Sequence, residues 1–173
     1  MVYHPETYYL KPNKYSPNNS LPVLIYRNCL PTSEDKATEL LEGHAWVKKG
    51  TWGHIDVRHY HPNTHECYGV FVGDSTLLVG CGSKDSQGGQ EIKVQAGDVI
   101  VLPAGTSHCN TQSSKDYMYV GVYPQGAPEY RYELGDDSIN HEALRKEIGD
   151  VALPAQDPVN GSAGPLLDLW TTC

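Results

Sequence analysis

HYHPNTHECYGVFVG, residues 59–73, places three histidines and a glutamate within its first eight positions. Three readings compete: a metal site, a His-rich polar loop, or buried histidines satisfied by hydrogen bonds. The residues just upstream separate them. In GHIDVRHYH, 53–61, Ile55, Val57, His59 and His61 take alternate positions, with His54, Asp56, Arg58 and Tyr60 between them. Successive side chains of a strand point to opposite faces. His59 and His61 are therefore expected on the core face with Ile55 and Val57, two imidazoles side by side as cis ligands of one ion. One inward histidine is more often a core residue with a hydrogen-bond partner. Two, followed by Glu66 and matched later by His108, reverse that balance, because burying such groups without a cation or partners is costly.

His108 lies in GDVIVLPAGTSHCN, 97–110. Val99 to Leu102 read as an apolar strand, Pro103 to Gly105 as a turn, and His108 as the start of the next strand. A hairpin of this kind can bring one more imidazole to face the first cluster. Imidazole and carboxylate donors suit one divalent transition metal: Fe, Mn, Ni, Co or Zn.

The whole chain agrees with many short strands. Its 173 residues suggest one domain with a sizeable core. Only 39% of residues are hydrophobic, and the 17 glycines and 12 prolines imply frequent turns. The net charge is −8, and Lys48-Lys49 is the densest basic pair. That argues against nucleic acid or an anionic membrane as partner. An anionic substrate would need local positive charge, which a metal ion supplies. The five cysteines form no CxxC pair, and no signal peptide or membrane span is visible. These features lead us to expect a cytoplasmic protein with reduced thiols.

Three stretches are expected within one domain. Residues 1–50 form an N-terminal arm, with a strand in LPVLIYRN (21–28) and a helix over 31–44 capped by Thr32 or Ser33. Residues 51–124 form the barrel core with the metal site. Residues 125–173 carry a helix capped near Ser138 or Asn140 and an ordered arm ending in LLDLW.

The two histidine segments resemble the paired motifs of the cupins. The first runs Gly53, His59, His61, Glu66, Gly73, and the second Gly97, Pro103, Gly105, His108. The closing Asn of the second motif is replaced by Gln112, with Asn110 nearby. PNNSLPVLIYR (17–27), the W-x5-W-G stretch (46–53), GVYPQG (121–126) and LPAQDPVNGSAGPLLDLW (153–170) extend the likeness to small single-domain cupins of the YjlB-like branch. The resemblance implies an all-β, double-stranded β-helix (jelly-roll) barrel with a few peripheral helices. It implies metal ligands His59, His61, Glu66 and His108, with one or two open positions on the ion, and by analogy a homodimer. It lends no reaction, because one fold hosts many chemistries.

Other residues carry weaker expectations. Tyr68 shares the parity of Glu66, and Asn110 that of His108; with His65 they are the catalytic candidates. His65 is expected to face away from Glu66, and His54 away from His59. Cys81 and Cys109 read as small buried hydrophobes, and Trp46, Trp52 and Trp170 as packing anchors. The leading functional reading is a mononuclear metalloenzyme acting on a small organic molecule, inclined to dioxygenase-type oxidation. A metal-assisted isomerase, epimerase or lyase is the alternative, followed by a non-catalytic ligand-binding cupin and, last, a storage protein.

Overall fold

Val99–Leu102 is apolar at four consecutive positions, so a strand there needs cover on both faces. The computed structural model, which describes residues 1–85, 88–136 and 140–171, shows how that cover is supplied. The chain runs β1 (Glu6–Tyr8), β2 (Val23–Tyr26), α1 (Glu34–Gly43), β3 (Trp46–Trp52), β4 (Glu66–Val72) and β5 (Asp74–Val79). It continues with β6 (Gln90–Gln95), β7 (Val99–Leu102), β8 (His108–Ser113), β9 (Met118–Pro124), α2 (His141–Gly149) and α3 (Pro165–Thr171). Two antiparallel sheets result, in the orders β1-β2-β7-β4-β9-β3 and β6-β5-β8. The class is all-β with peripheral helices.

The larger sheet divides its side chains by parity. Val23 and Ile25 of β2, Tyr68 and Val70 of β4, Ile100 and Leu102 of β7 and Tyr119 of β9 face inward. There they pack with Leu77, Val79, Ile92 and Val94 of the smaller sheet. Leu24, Tyr26, Cys67, Val99, Val101, Val120 and Val122 face outward, beneath Ala37 and Leu41 of α1 and Leu166 and Trp170 of α3. The outward side of the larger sheet is therefore apolar, and α1 and α3 cover it.

The helices follow local signals. Glu34 and Asp35 sit in the first turn of α1 after Ser33, where negative charge suits the helix dipole. Asn140 caps α2 by accepting the Ala143 N–H; Ser138, the other candidate cap, lies outside the described residues. The LLDLW tail, expected as the end of an ordered arm, forms α3. The helix turns Leu166 and Trp170, four residues apart, onto the sheet. Among the described residues, no helix is long and apolar enough to cross a membrane.

The expected strand over 53–61 is a second difference. This segment is extended but holds only isolated bridges, His59 to His108 and Tyr60 to Glu133. Its odd-numbered residues do share one face, yet Val57 is 52% exposed. That face opens on a cavity, and the segment meets β8 only at intervals: His59 exchanges backbone hydrogen bonds with His108, and the Asn110 N–H donates to Ile55 O at 2.7 Å.

Candidate metal centre

All four sequence-derived ligands gather at one end of the sandwich. Glu66 starts β4, His108 starts β8, and His59 and His61 lie in the extended segment before β4. The two motifs are tied by their backbones. His108 N–H donates to His59 O at 2.9 Å, and His59 N–H returns to His108 O at 3.2 Å. Gly105 N–H donates to His61 O at 2.8 Å, so the Pro-Ala-Gly turn holds the second histidine's main chain. Gly105 has φ +79°, and a Cβ there would strike Ile148 of α2. Glycine alone meets both demands.

One ligand atom from each of His59, His61 and His108 can be chosen so that all lie within 4.8 Å of one another. The opposite side of each ring is fixed. His59 Nδ1 bonds Val57 O at 2.7 Å, His61 Nδ1 bonds Arg131 O at 2.8 Å, and His108 Nδ1 bonds Thr106 O at 2.9 Å. A carbonyl accepts only, so Nδ1 carries the proton in each ring and, in the neutral ring, Nε2 presents a lone pair. Second bonds of this kind orient metal-binding imidazoles.

Glu66 completes the cluster. Its Oε2 lies 3.1 Å from His61 Nε2 and 3.3 Å from His108 Nε2. Tyr123 Oη donates to Oε1 at 2.7 Å, which fixes the carboxylate. Glu66 Oε2 and His108 Nε2 are buried without a hydrogen-bond donor between them. Lone pairs converging at these distances need a cation, either a proton or a metal ion. The titrations show the same need. Burial opposes charge on His61, but the Glu66 carboxylate overrides it and holds the imidazole above its ordinary range. Burial opposes charge on Glu66 too, yet His61 and His108 hold its carboxyl well below its ordinary range. Burial, then the charge of His108, pulls His59 down to about 4. The donor set fits one divalent ion: three imidazoles presenting Nε2 and one fixed carboxylate oxygen.

Beside the cluster lies a cavity of about 290 Å³. His59, His61 and Glu66 form one pole, and the rings of Trp52, Tyr68, Tyr119, Tyr123, Tyr130 and Tyr132 line the rest with Ile55, Val57 and Leu134. The catalytic candidates separate here. Tyr68 lines the cavity and stacks on Tyr119 at 3.9 Å between ring centres. Burial, then the Glu66 charge, holds its phenol well above the ordinary range. Asn110 accepts the Ile55 N–H at 2.9 Å and donates to Ser75 Oγ at 2.7 Å, a brace behind the site. His65 is on the other side of the sheet. It accepts the Ala104 N–H at Nδ1 and packs against Trp170, 4.7 Å between ring centres. A cavity of about 560 Å³ on that side, against α2, contains none of the four donors.

Trp52 does more than the sequence suggested. Trp46 and Trp170 are packed in the outer core, and Trp52 packs against the inner core and is also a cavity wall. Its indole lies over Gly50 and Gly121, a cross-strand pair of β3 and β9, and a Cβ on either would run into the ring. Tyr123, Tyr130 and Tyr132 were not singled out in the sequence. Tyr119, Gly121 and Tyr123 share inward parity on β9, a usable signal. Tyr130 and Tyr132 sit in an irregular segment where only their spacing of two hints at a shared face.

The family model described as Cupin matches residues 46–142. The chain is 32% identical over 166 residues to the uncharacterized protein YjlB of Bacillus subtilis (strain 168), spanning 95% of this chain and 96% of that one. The chain belongs to the cupin family. A double-stranded β-helix protein of Klebsiella pneumoniae aligns over 78% of this chain and 86% of its own, at 16% identity and TM-score 0.37. An oxalate decarboxylase of Bacillus subtilis aligns over 66% of this chain and 28% of its own, at 19% identity and TM-score 0.36. The acireductone dioxygenase of Bacillus anthracis, solved with a cadmium ion, aligns over 65% of this chain and 54% of its own, at 18% identity and TM-score 0.30.

Proposed function

We propose that the chain is a mononuclear metal-dependent enzyme that oxidises a small organic molecule, with His59, His61, Glu66 and His108 holding one divalent transition metal. One observation carries this reading. Each imidazole is pinned at Nδ1 by a carbonyl, which leaves Nε2 as the donor atom of three clustered rings beside a cavity, and Glu66 Oε2 lies 3.1 and 3.3 Å from two of them. A bound ion with four protein donors keeps positions open for substrate or O2 and supplies Lewis acidity or electron transfer.

The chain's own residues position and shield. Tyr123 holds Glu66, Asn110 braces Ile55, and the aromatic side chains wall the cavity. Of the three candidates only Tyr68 lines the cavity, as a neutral phenol; Asn110 does not titrate, and His65 lies across the sheet. Oxidation asks only for open positions on the ion and is the leading reading; the isomerase or lyase alternative also needs an acid or base at the substrate, for which Tyr68 is the candidate at hand.

The test starts from protein purified without an affinity tag. About one equivalent of metal is expected, with none in His61→Ala. Absence of metal from wild type after anaerobic loading with Fe(II), Mn(II) and Zn(II) overturns the proposal. Turnover of a metabolite panel with and without O2 then separates oxidation from isomerisation or elimination.

A further inference from the structure

The cavity carries charge-bearing groups at one pole only. Beyond His59, His61 and Glu66 its described lining is neutral, three aliphatic side chains, the Trp52 indole and five tyrosines, with no lysine or arginine. The basic residues closest in sequence to that lining are committed elsewhere. The Arg131 guanidinium pairs with Glu147 on α2, and Arg58 donates to the carbonyls of Gly82 and Asp85. Ring faces carry the negative side of the aromatic quadrupole and repel a carboxylate laid against them.

The walls are built rather than incidental. The paired glycines under Trp52 hold the indole flat against β3 and β9. Tyr123 stacks on Tyr130 at 4.8 Å with 6° between ring planes. At the mouth, Val57, Tyr132 and Leu134 are 52%, 62% and 39% exposed, so the rim is apolar too. The volume, about 290 Å³, is at the small end of ligand cavities and accommodates one ring with a short substituent.

We infer that this cavity takes a small, apolar-bodied molecule bearing a single anionic or chelating end, and rejects compact dianions. The anionic end lies at the histidine pole, and the body lies among the rings and reaches the Val57–Tyr132 rim. A second carboxylate would be buried among neutral groups with no cation to meet it. The inference rests on the proposed metal centre for the anionic end; the selectivity of the walls stands without it.

Calorimetric titration of Zn(II)-loaded and metal-free protein with benzoate, cyclohexanecarboxylate and malonate tests it, with zinc content measured on the same samples. The two monocarboxylates are expected to bind the loaded protein at least about tenfold more tightly than malonate. Tyr132→Ala, at the exposed rim and so folding-neutral, is expected to weaken benzoate about fivefold without changing zinc content. Trp52→Leu should weaken it further. Malonate binding as tightly as benzoate, or benzoate indifferent to both variants, overturns the inference. Failure to take up zinc overturns the metal reading alone if metal-free protein still prefers the monocarboxylates. No benzoate binding to either form at millimolar concentration overturns the inference.

Discussion

His65 and Glu66 are adjacent in sequence, equally buried, and chemically opposite in use. His65 is 1% exposed and Glu66 4%. Glu66 turns inward from β4 to meet two imidazoles and Tyr123. His65 turns to the covered outer face, where it meets Trp170 and a backbone N–H. Both could serve as metal ligands. Strand parity assigns one to the site and the other to the core, because a one-residue shift moves a side chain to the opposite face of a sheet.

That contrast predicts separable losses. The largest is at the inner face. His61→Ala should abolish metal binding, read by metal analysis, whereas His65→Gln should keep about one equivalent. Metal loss in His65→Gln would break the assignment.

Next is the outer face. Trp170 is 2% exposed, donates to Pro22 O at 3.1 Å and packs on His65. Trp170→Ala should cost about 3–5 kcal/mol in chemical denaturation. The refolded variant should retain metal.

The third effect is acid sensitivity on the outer side. Burial pulls the His65 imidazole down to about 4, opposed by the Ala152 carbonyl. In the unfolded chain the same group titrates near its ordinary value of about 6.5, so the unfolded state takes up the proton first. The stability that neutral His65 contributes is fully present above pH ~6.5. It falls as pH drops and is lost below pH ~4, about 3 kcal/mol in all. Denaturation of His65→Gln across this range should show a loss shallower than wild type by that amount. Identical profiles would show that His65 is not held neutral.

The smallest effect sharpens the inner side. Tyr123→Phe removes the donor to Glu66 Oε1 and nothing else. Metal affinity should fall about 10–100-fold, with stability nearly unchanged. Unaltered affinity would mean that packing alone orients Glu66.

Much of the site was legible in the sequence because its signals are local. The spacing His59, His61, Glu66 is short enough for strand parity to carry it, and the glycine turn before His108 is a strong local breaker. The same reasoning overreached at 53–61. Alternation there fixed the shared face of Ile55, Val57, His59 and His61, but not that pairing with β8 would be broken into isolated bridges. The Tyr130 and Tyr132 walls were invisible for a related reason. They stand in an irregular segment, held by a Tyr60–Glu133 bridge and the His61–Arg131 contact across some 70 positions.

By itself the sequence determined the all-β class, a helix within 31–44 and the four potential metal donors, since periodicity, caps and turns act over a few residues. Only the tertiary structure decided that each histidine has its Nδ1 anchored to a carbonyl. It alone made the core-packed Trp52 a cavity wall over two glycines as well, folded the Leu-rich tail into a helical cover, and lined the cavity with rings rather than cations. Those outcomes depend on which distant segments share a surface, and that is set by packing of the whole chain rather than by neighbours in sequence.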